Sequence, residues 1–289
     1  MILVTGASGT VGGEVARILA AEGIPFRSGY RSPEKLARAL RAGQEAVAAD
    51  FASPGSLASA LDGVTALFLA SRSAPDQTDL EIGVVRAARR AGVARLVKLS
   101  VWGASTEGFT FARLHRTVEL EIEASGMAYT LLRPNGFMQN ITTHMAGEIR
   151  AHGRISLPAG DARVSHVDAR DVAAVAAAAL ASDAHASGSW DLSGPEALTY
   201  GEIAAILGRA AGRPIAYVDL DEAACRRTLL AAGASAWWAE AVLDLARFYR
   251  AGHAARVTPT VQEVTGRAPV SFLQHATEHA GGLLSRGPS

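Results

Sequence analysis

Cysteine is nearly absent from the 289 residues: Cys225 stands alone, so no internal disulfide can form and a reducing compartment is the expected setting. A surplus of one charge is missing too. Lys plus Arg number 28 and Asp plus Glu number 28, whereas a chain whose main partner is nucleic acid carries a basic excess. No apolar run approaches the roughly 20 residues of a membrane helix. The start, Met1-Ile2-Leu3-Val4-Thr5, lacks the basic stretch of a secretory signal. Lysine is scarce, with only Lys35 and Lys98. What is present is 49% hydrophobic and 19% charged residues in 30.0 kDa, enough for a sizeable core and incompatible with disorder. The expectation is a soluble, cytoplasmic protein with no nucleic-acid or membrane partner, monomeric or a homodimer.

Short apolar runs alternate with helical spacing through the first half. Strands are expected at 2–4, 25–31, 47–49, 65–70, 96–99 and 128–132, with helices at 12–21, from Pro33, and at 56–61, 76–91 and 111–125. Such alternation with short connections predicts right-handed crossovers and a parallel sheet covered on both faces. After Pro134 the rhythm changes. A helix is expected over 140–151, a Gly/Pro-containing stretch over 153–160, a strand over 164–167, an alanine-rich helix over 168–181 and a short strand over 189–192. Beyond Ser193 the pattern is mostly helical, with Thr199 as N-cap of a helix to Ala211, and the chain ends on Gly-Pro-Ser.

Directly after the first strand stands Thr5-Gly6-Ala7-Ser8-Gly9-Thr10-Val11-Gly12. Gly6 suits the tight turn, Gly9 a close approach of backbone to a pyrophosphate, and Gly12 close packing of helix on strand. The helix N-terminus then faces the phosphates, so Ser8, Thr10 and Val11 join the glycines as candidate cofactor contacts. The end of the second strand selects the cofactor. An NAD site usually has Asp or Glu there, but Ser28-Gly29-Tyr30-Arg31-Ser32-Pro33 has none, and Arg31 with Ser32 suits the 2′-phosphate of NADP (NADPH) instead. Asp50-Phe51 after the third strand fits an adenine contact. Ala70 and Ser71, closing the fourth, belong beside the cofactor.

These residues resemble the short-chain dehydrogenase/reductase superfamily, and later motifs resemble its atypical NmrA-like branch. The motifs are Arg31-Ser32-Pro33, His115 to Glu119, Ser125-Gly126, Tyr129 to Asn140 with Leu132-Arg133-Pro134-Asn135-Gly136-Phe137-Met138-Gln139 inside it, and Ser165 to Ala173. The resemblance implies an α/β fold: a Rossmann-type doubly wound parallel sheet with a smaller, mostly helical C-terminal substrate domain. The division expected is 1–135 for the NADP-binding domain, with about 160–192 returning to it, and 136–159 plus 193–285 for the small domain.

One part of that superfamily's pattern is missing. Its usual catalytic pair is Tyr-x-x-x-Lys, but alignment places Phe111 and His115 at those positions. The residues four before the two lysines are Arg31 and Ala94, so the pair exists nowhere in the chain. Ser100 ends the fifth strand near the expected active-site serine. Without a phenolic acid, a simple ketone is a poor acceptor, because hydride transfer leaves a localised alkoxide. A quinone, cationic dye, azo compound or conjugated enone spreads the charge, and the branch includes NADPH-dependent reductases of such compounds. His115 is the candidate proton donor. Asn135, Gly136 and Phe137 are candidate cofactor contacts, and Trp102, Phe137, Met138 and His166 candidate substrate contacts. The remaining histidines lack ligand spacing, so no metal is expected. Two rival readings are an NADP-sensing regulatory binding protein and a biosynthetic tailoring reductase or isomerase.

Overall fold

The computed structural model describes residues 1–182 and 188–284, with side chains as far as Gly282. The Gly-Pro-Ser ending and residue 285 lie outside the described residues. In chain order the elements are β1 (Ile2–Val4), α1 (Thr10–Ala21), β2 (Phe26–Tyr30), α2 (Pro33–Arg41), β3 (Ala46–Ala48), α3 (Pro54–Leu61), β4 (Ala66–Leu69), α4 (Gln77–Arg90) and β5 (Arg95–Leu99). Then come α5 (Thr110–Glu123), β6 (Ala128–Pro134), α6 (Ala146–His152), β7 (Arg154–Leu157), α7 (Ala169–Ala181) and β8 (Gly188–Leu192). The last part holds α8 (Tyr200–Ala211), β9 (Ala216–Asp219), α9 (Glu222–Ala231), α10 (Ala236–Arg250), α11 (Thr260–Thr265) and α12 (Phe272–Leu284).

Seven strands pair in the order β3-β2-β1-β4-β5-β6-β8, all parallel. Continuous burial of Ile2–Val4 and Ala66–Leu69 follows from helices on both faces. On one face α1 packs against the alanine-rich α7, where Ala173, Ala176 and Ala177 are buried with Val11, Val15 and Leu19. On the other, α3, α4 and α5 meet through Leu57, Val84, Val85, Val118 and Ile122. The strand order reverses direction between β1 and β4, which opens a ligand crevice at the C-terminal edge. The C-terminal helices lie beyond that edge around Trp102, Phe109, Met138, Ile203, Phe248 and Phe272. No helix among the described residues is long and apolar enough to cross a membrane.

Four expectations need correction. The strand expected over 164–167 is reduced to isolated bridges, Phe137 with Val167 and Val164 with Leu198. A strand does form within the 153–160 stretch: β7 pairs in parallel with β9 in a separate two-stranded sheet, and both are too short to show a period. The helix expected over 140–151 is a π-helical turn, Asn140–His144, followed by α6. The first helix begins at Thr10, two residues before Gly12.

A buried polar knot fixes α7 to the C-terminal helix. Asp168 caps α7 by accepting from the Arg170 N–H at 2.9 Å. Its other oxygen takes a hydrogen bond from His275 Nδ1 at 2.8 Å, and Thr142 on the π turn meets His275 Nε2 at 2.9 Å. Asp168 and His275 are both fully buried. Burial alone would raise the Asp168 carboxyl, but His275, Arg170 and Gln139 outweigh it and hold it well below the usual range. Such a group stabilises the fold fully above its unfolded value of about 4 and loses that contribution as pH falls toward the folded value. Asp168→Asn is therefore expected to cost about 3 to 5 kcal/mol at pH 7, with a smaller difference at pH 3. Urea unfolding at both values checks this, and an equal difference at both would contradict it.

Candidate cofactor and active site

The glycine loop owes its shape to two close approaches. Gly6 adopts a φ of +63°, and a Cβ there would stand 3.1 Å from the Ala70 carbonyl oxygen. A Cβ on Gly12 would stand 2.4 Å from the Gly6 carbonyl oxygen, a distance no side chain tolerates. Thr5 anchors the loop from below, donating to the Phe68 carbonyl at 2.8 Å and accepting from the Ala70 N–H at 3.0 Å. The helix N-terminus is left bare. Gly9 is its N-cap without a side-chain bond, and the first turn holds no acidic residue. Unsatisfied N–H groups and the positive end of the helix dipole therefore face outward, which suits a pyrophosphate.

A cleft of about 510 Å³ opens there, between Ser8, Gly9 and Thr10 on one side and Gln139, Arg170 and His279 on the other. Arg31 is exposed and engages no carboxylate among the described residues. Ser32 caps α2 by accepting from the Lys35 N–H at 3.3 Å. The Lys35 Nζ in turn donates to Ser8 Oγ at 3.3 Å, which ties the end of β2 to the glycine loop. Arg31 and Lys35 thus form a cationic pair where an NAD site would carry an acid. Position 35 was not among the candidates because a lysine in a first helical turn reads as ordinary solvated charge. Asp50 and Phe51 are half-buried at the end of β3, and the Asp50 N–H donates to Ser56 at 3.0 Å.

His115 lies inside the protein, 9% exposed, rather than at the cleft. Its Nδ1 is 3.2 Å from the Nζ of Lys98, and Lys98 pairs with Glu81 at 2.9 Å with both side chains fully buried. Lys98 also donates to the Leu99 carbonyl at 2.5 Å. Since the ammonium donates to Nδ1, the imidazole hydrogen sits on Nε2, 3.4 Å from the Gln77 side-chain nitrogen. Reversing that amide puts the otherwise unpartnered Gln77 Oε1 opposite the N–H. Burial, followed by the charge of Lys98, pushes the His115 pKa well below its ordinary value, so the ring is neutral at pH 7. Ser71, exposed just after β4, completes the network by donating to Glu81 at 2.7 Å.

Other candidates are engaged in holding the fold. Ser100 donates to Glu119 at 2.6 Å, and Arg133 binds the same carboxylate at 2.7 Å. Asn135 donates to Ser165 and to the Ala254 carbonyl and accepts from the Gly136 N–H, so its amide is fully used. Phe111 is enclosed by Trp237 and Trp238, with ring centroids at 6.0 and 5.5 Å. Gly136, Met138 and His166 meet beyond β6, while half-buried Phe137 packs on the core between the sheet and α7. Trp102 stands apart. Its indole donates to the His253 carbonyl at 2.9 Å, Arg256 lies 4.8 Å above its ring, and it lines a separate cleft of about 670 Å³.

A glycine-capped helix at the switch point of a seven-stranded parallel sheet defines a dinucleotide-binding protein of Rossmann type. Residues 6–183 match the NAD(P)H-binding family, and the chain belongs to it. It is 42% identical over 97% of its length to the (4-alkanoyl-5-oxo-2,5-dihydrofuran-3-yl)methyl phosphate reductase of Streptomyces griseus, covering 98% of that protein. It is 36% identical to the NAD(P)H azoreductase of Xenophilus azovorans, again over 97% and 98% of the two chains. The structure of an NADPH-dependent quinone oxidoreductase from Escherichia coli, complexed with NADPH, superposes with a TM-score of 0.88 at 28% identity, covering 96% of this chain and 99% of that one. The bare helix end, the room only Gly12 leaves and the cationic pair all fit such a cofactor.

Two outcomes are expected. Arg31→Ala should weaken binding of NADPH about tenfold more than that of NADH, since a charged hydrogen bond is lost only with the former. Calorimetric titration reads this, and equal losses would remove the 2′-phosphate from Arg31. Lys98→Met strands the Glu81 carboxylate in the interior and should cost about 3 to 5 kcal/mol in urea unfolding. Adding Glu81→Gln should recover part of that loss; no recovery would mean that the ion pair is not what Lys98 contributes.

Proposed function

We propose that this protein is an NADPH-dependent reductase of small, flat, electron-poor acceptors, with quinones foremost among dyes, azo compounds and conjugated enones. The observation that carries the reading is the glycine-capped helix end without a side-chain cap, with Lys35 reaching Ser8 beside it, in a chain without any Tyr-x-x-x-Lys pair. The named activities of the azoreductase, quinone oxidoreductase and dihydrofuranyl reductase relatives support it.

The backbone N–H groups of Thr10, Val11 and Gly12 would hold the pyrophosphate, and Arg31 and Lys35 the 2′-phosphate. Bound there, the cofactor supplies a hydride. Ser71 is exposed and keeps its hydroxyl hydrogen on Glu81, so its oxygen would be left to accept from a ribose hydroxyl. The helical C-terminal part covers the sheet edge and excludes water, which leaves the acceptor to be oriented rather than chemically activated. A conjugated acceptor spreads the incoming charge and tolerates the absence of a strong acid, a condition that a neutral, enclosed His115 does not change. The balanced net charge and the small-molecule acceptor fit a cytoplasmic enzyme, monomeric or dimeric.

A second reading, a tailoring reductase within a biosynthetic route, is favoured by the 42% identity to the dihydrofuranyl phosphate reductase, whose named substrate is itself conjugated. Purified protein with NADPH and a panel of quinones, azo dyes, enones and simple ketones tests both. Quinone- or dye-dependent NADPH oxidation is the expected result, and turnover confined to enones would select the second reading. Turnover confined to simple ketones, or tight NADPH binding without any turnover, would contradict the proposal.

A further inference from the structure

We propose that Tyr249, carried on α10, hydrogen-bonds the oxygen of a carbonyl acceptor and stabilises the negative charge that develops there. The assignment rests on the reductase reading above and names the group that meets the acceptor.

Tyr249 is 7% exposed, and its hydroxyl makes no hydrogen bond among the described residues. The ring is buried, but the hydroxyl is not among the enclosed polar atoms, so it reaches open space with a hydrogen bond to offer a ligand. The oxygen sits over the segment that leaves β6: a Cβ on Gly136 would stand 2.9 Å from it and 3.0 Å from the His166 ring. Only glycine at position 136 leaves room for this approach. His166, 5% exposed, has an unpartnered Nδ1, and its Nε2 lies 3.4 Å from the hydroxyl of Tyr200, itself 4% exposed. Three polar side chains from α10, α8 and the segment before α7 therefore converge beyond the ligand-bearing edge with one long hydrogen bond among them. Met138 and Phe248 supply apolar walls from the same cluster. An apolar setting with a few convergent polar groups is the usual composition of a small-molecule site.

Protonation sets which groups can carry charge here. Burial lowers His166 to about 4, and burial also raises both Tyr200 and Tyr249, so all three are neutral at pH 7. Tyr217 of β9 stacks on Tyr200 at 5.9 Å and is raised first by burial, and its hydroxyl donates to Asp219 at 3.0 Å, a carboxylate that Arg250 pairs with. Tyr200 and His166 Nε2 share one contact of 3.4 Å, and whichever of them donates, the Tyr249 O–H remains a donor without a partner among the described residues.

In the reaction the acceptor takes up a hydride, meaning one proton and two electrons, at one end of its conjugated system. The π pair of its C=O bond moves onto oxygen, where Tyr249 donates a hydrogen bond, and solvent then delivers the second proton. One quinone, one NADPH and one H⁺ give one hydroquinone and one NADP⁺. A firmly protonated phenol suits this task, because it stabilises the oxyanion without having to surrender its own proton.

A cationic triphenylmethane dye separates the roles, since it accepts hydride on carbon and ends neutral with no oxyanion. Tyr249→Phe is expected to lower the ratio of quinone to dye kcat/KM at least tenfold. Gly136→Ala, which drives a methyl group into the hydroxyl, should shift the ratio the same way. Independently of turnover, the cofactor-free protein should bind p-nitrophenolate, a flat conjugated oxyanion followed by its visible absorbance, about tenfold more weakly once Tyr249 is Phe. An unaltered ratio with unaltered p-nitrophenolate affinity would overturn the assignment. Wild-type protein that turned over neither acceptor would overturn the reductase reading, while the p-nitrophenolate titration would still judge Tyr249.

Discussion

The Gly6 carbonyl oxygen lies 2.4 Å from the place where a Cβ at position 12 would stand. That contact draws the start of α1 down onto the end of β1, and it aims the first-turn N–H groups along the edge of the sheet. It also fixes where the next elements must end. Ala70, closing β4, packs against Gly6, so the two strands flanking the switch point reach the crevice at one level. The sheet supplies the rest by repetition, since every parallel strand delivers its C-terminal end to that same edge.

Charge is buried behind this edge rather than displayed on it. Lys98, Glu81 and His115 form one enclosed network and Glu119, Arg133 and Ser100 another, both wedged between the sheet and the helices of one face. Buried pairs contribute little net stability, but breaking one leaves an uncompensated charge, so they hold registers in place. The short-chain dehydrogenases that the sequence resembles place lysine on the helix corresponding to α5. Here the lysine stands on β5, and its ammonium meets the histidine occupying the helical position. By contrast, Arg31, Lys35 and Ser71 are exposed, and Lys35 reaches Ser8 of the glycine loop.

Legibility differed by mechanism. The parallel sheet was readable because strands buried on both faces write continuous apolar runs, and because glycines at 6, 9 and 12 have a steric meaning that no other residue shares. The β7–β9 pair was not, since four-residue strands carry no usable period. Among site residues, those on the glycine loop and at Arg31 carry their chemistry locally, in residue type and spacing. Lys98 and Tyr249 do not. A lysine in the apolar run of β5 and a tyrosine in an alanine-rich helix acquire meaning only from what lies opposite, Glu81 and His115 for one and Gly136 with His166 for the other. Asn135 shows the converse: its position at the end of β6 reads as a ligand contact, yet its amide is consumed by Ser165, Ala254 and Gly136.

The central claim is that the exposed amides at the start of α1 receive the pyrophosphate of NADPH. Hydrogen–deuterium exchange of the whole protein, with and without saturating NADPH, addresses those amides by position. Exchange is expected to slow over residues 10–12 and over the segment joining Arg31 to Lys35 when the cofactor is added. Unaltered exchange at residues 10–12 under saturation, with protection arising elsewhere, would contradict this.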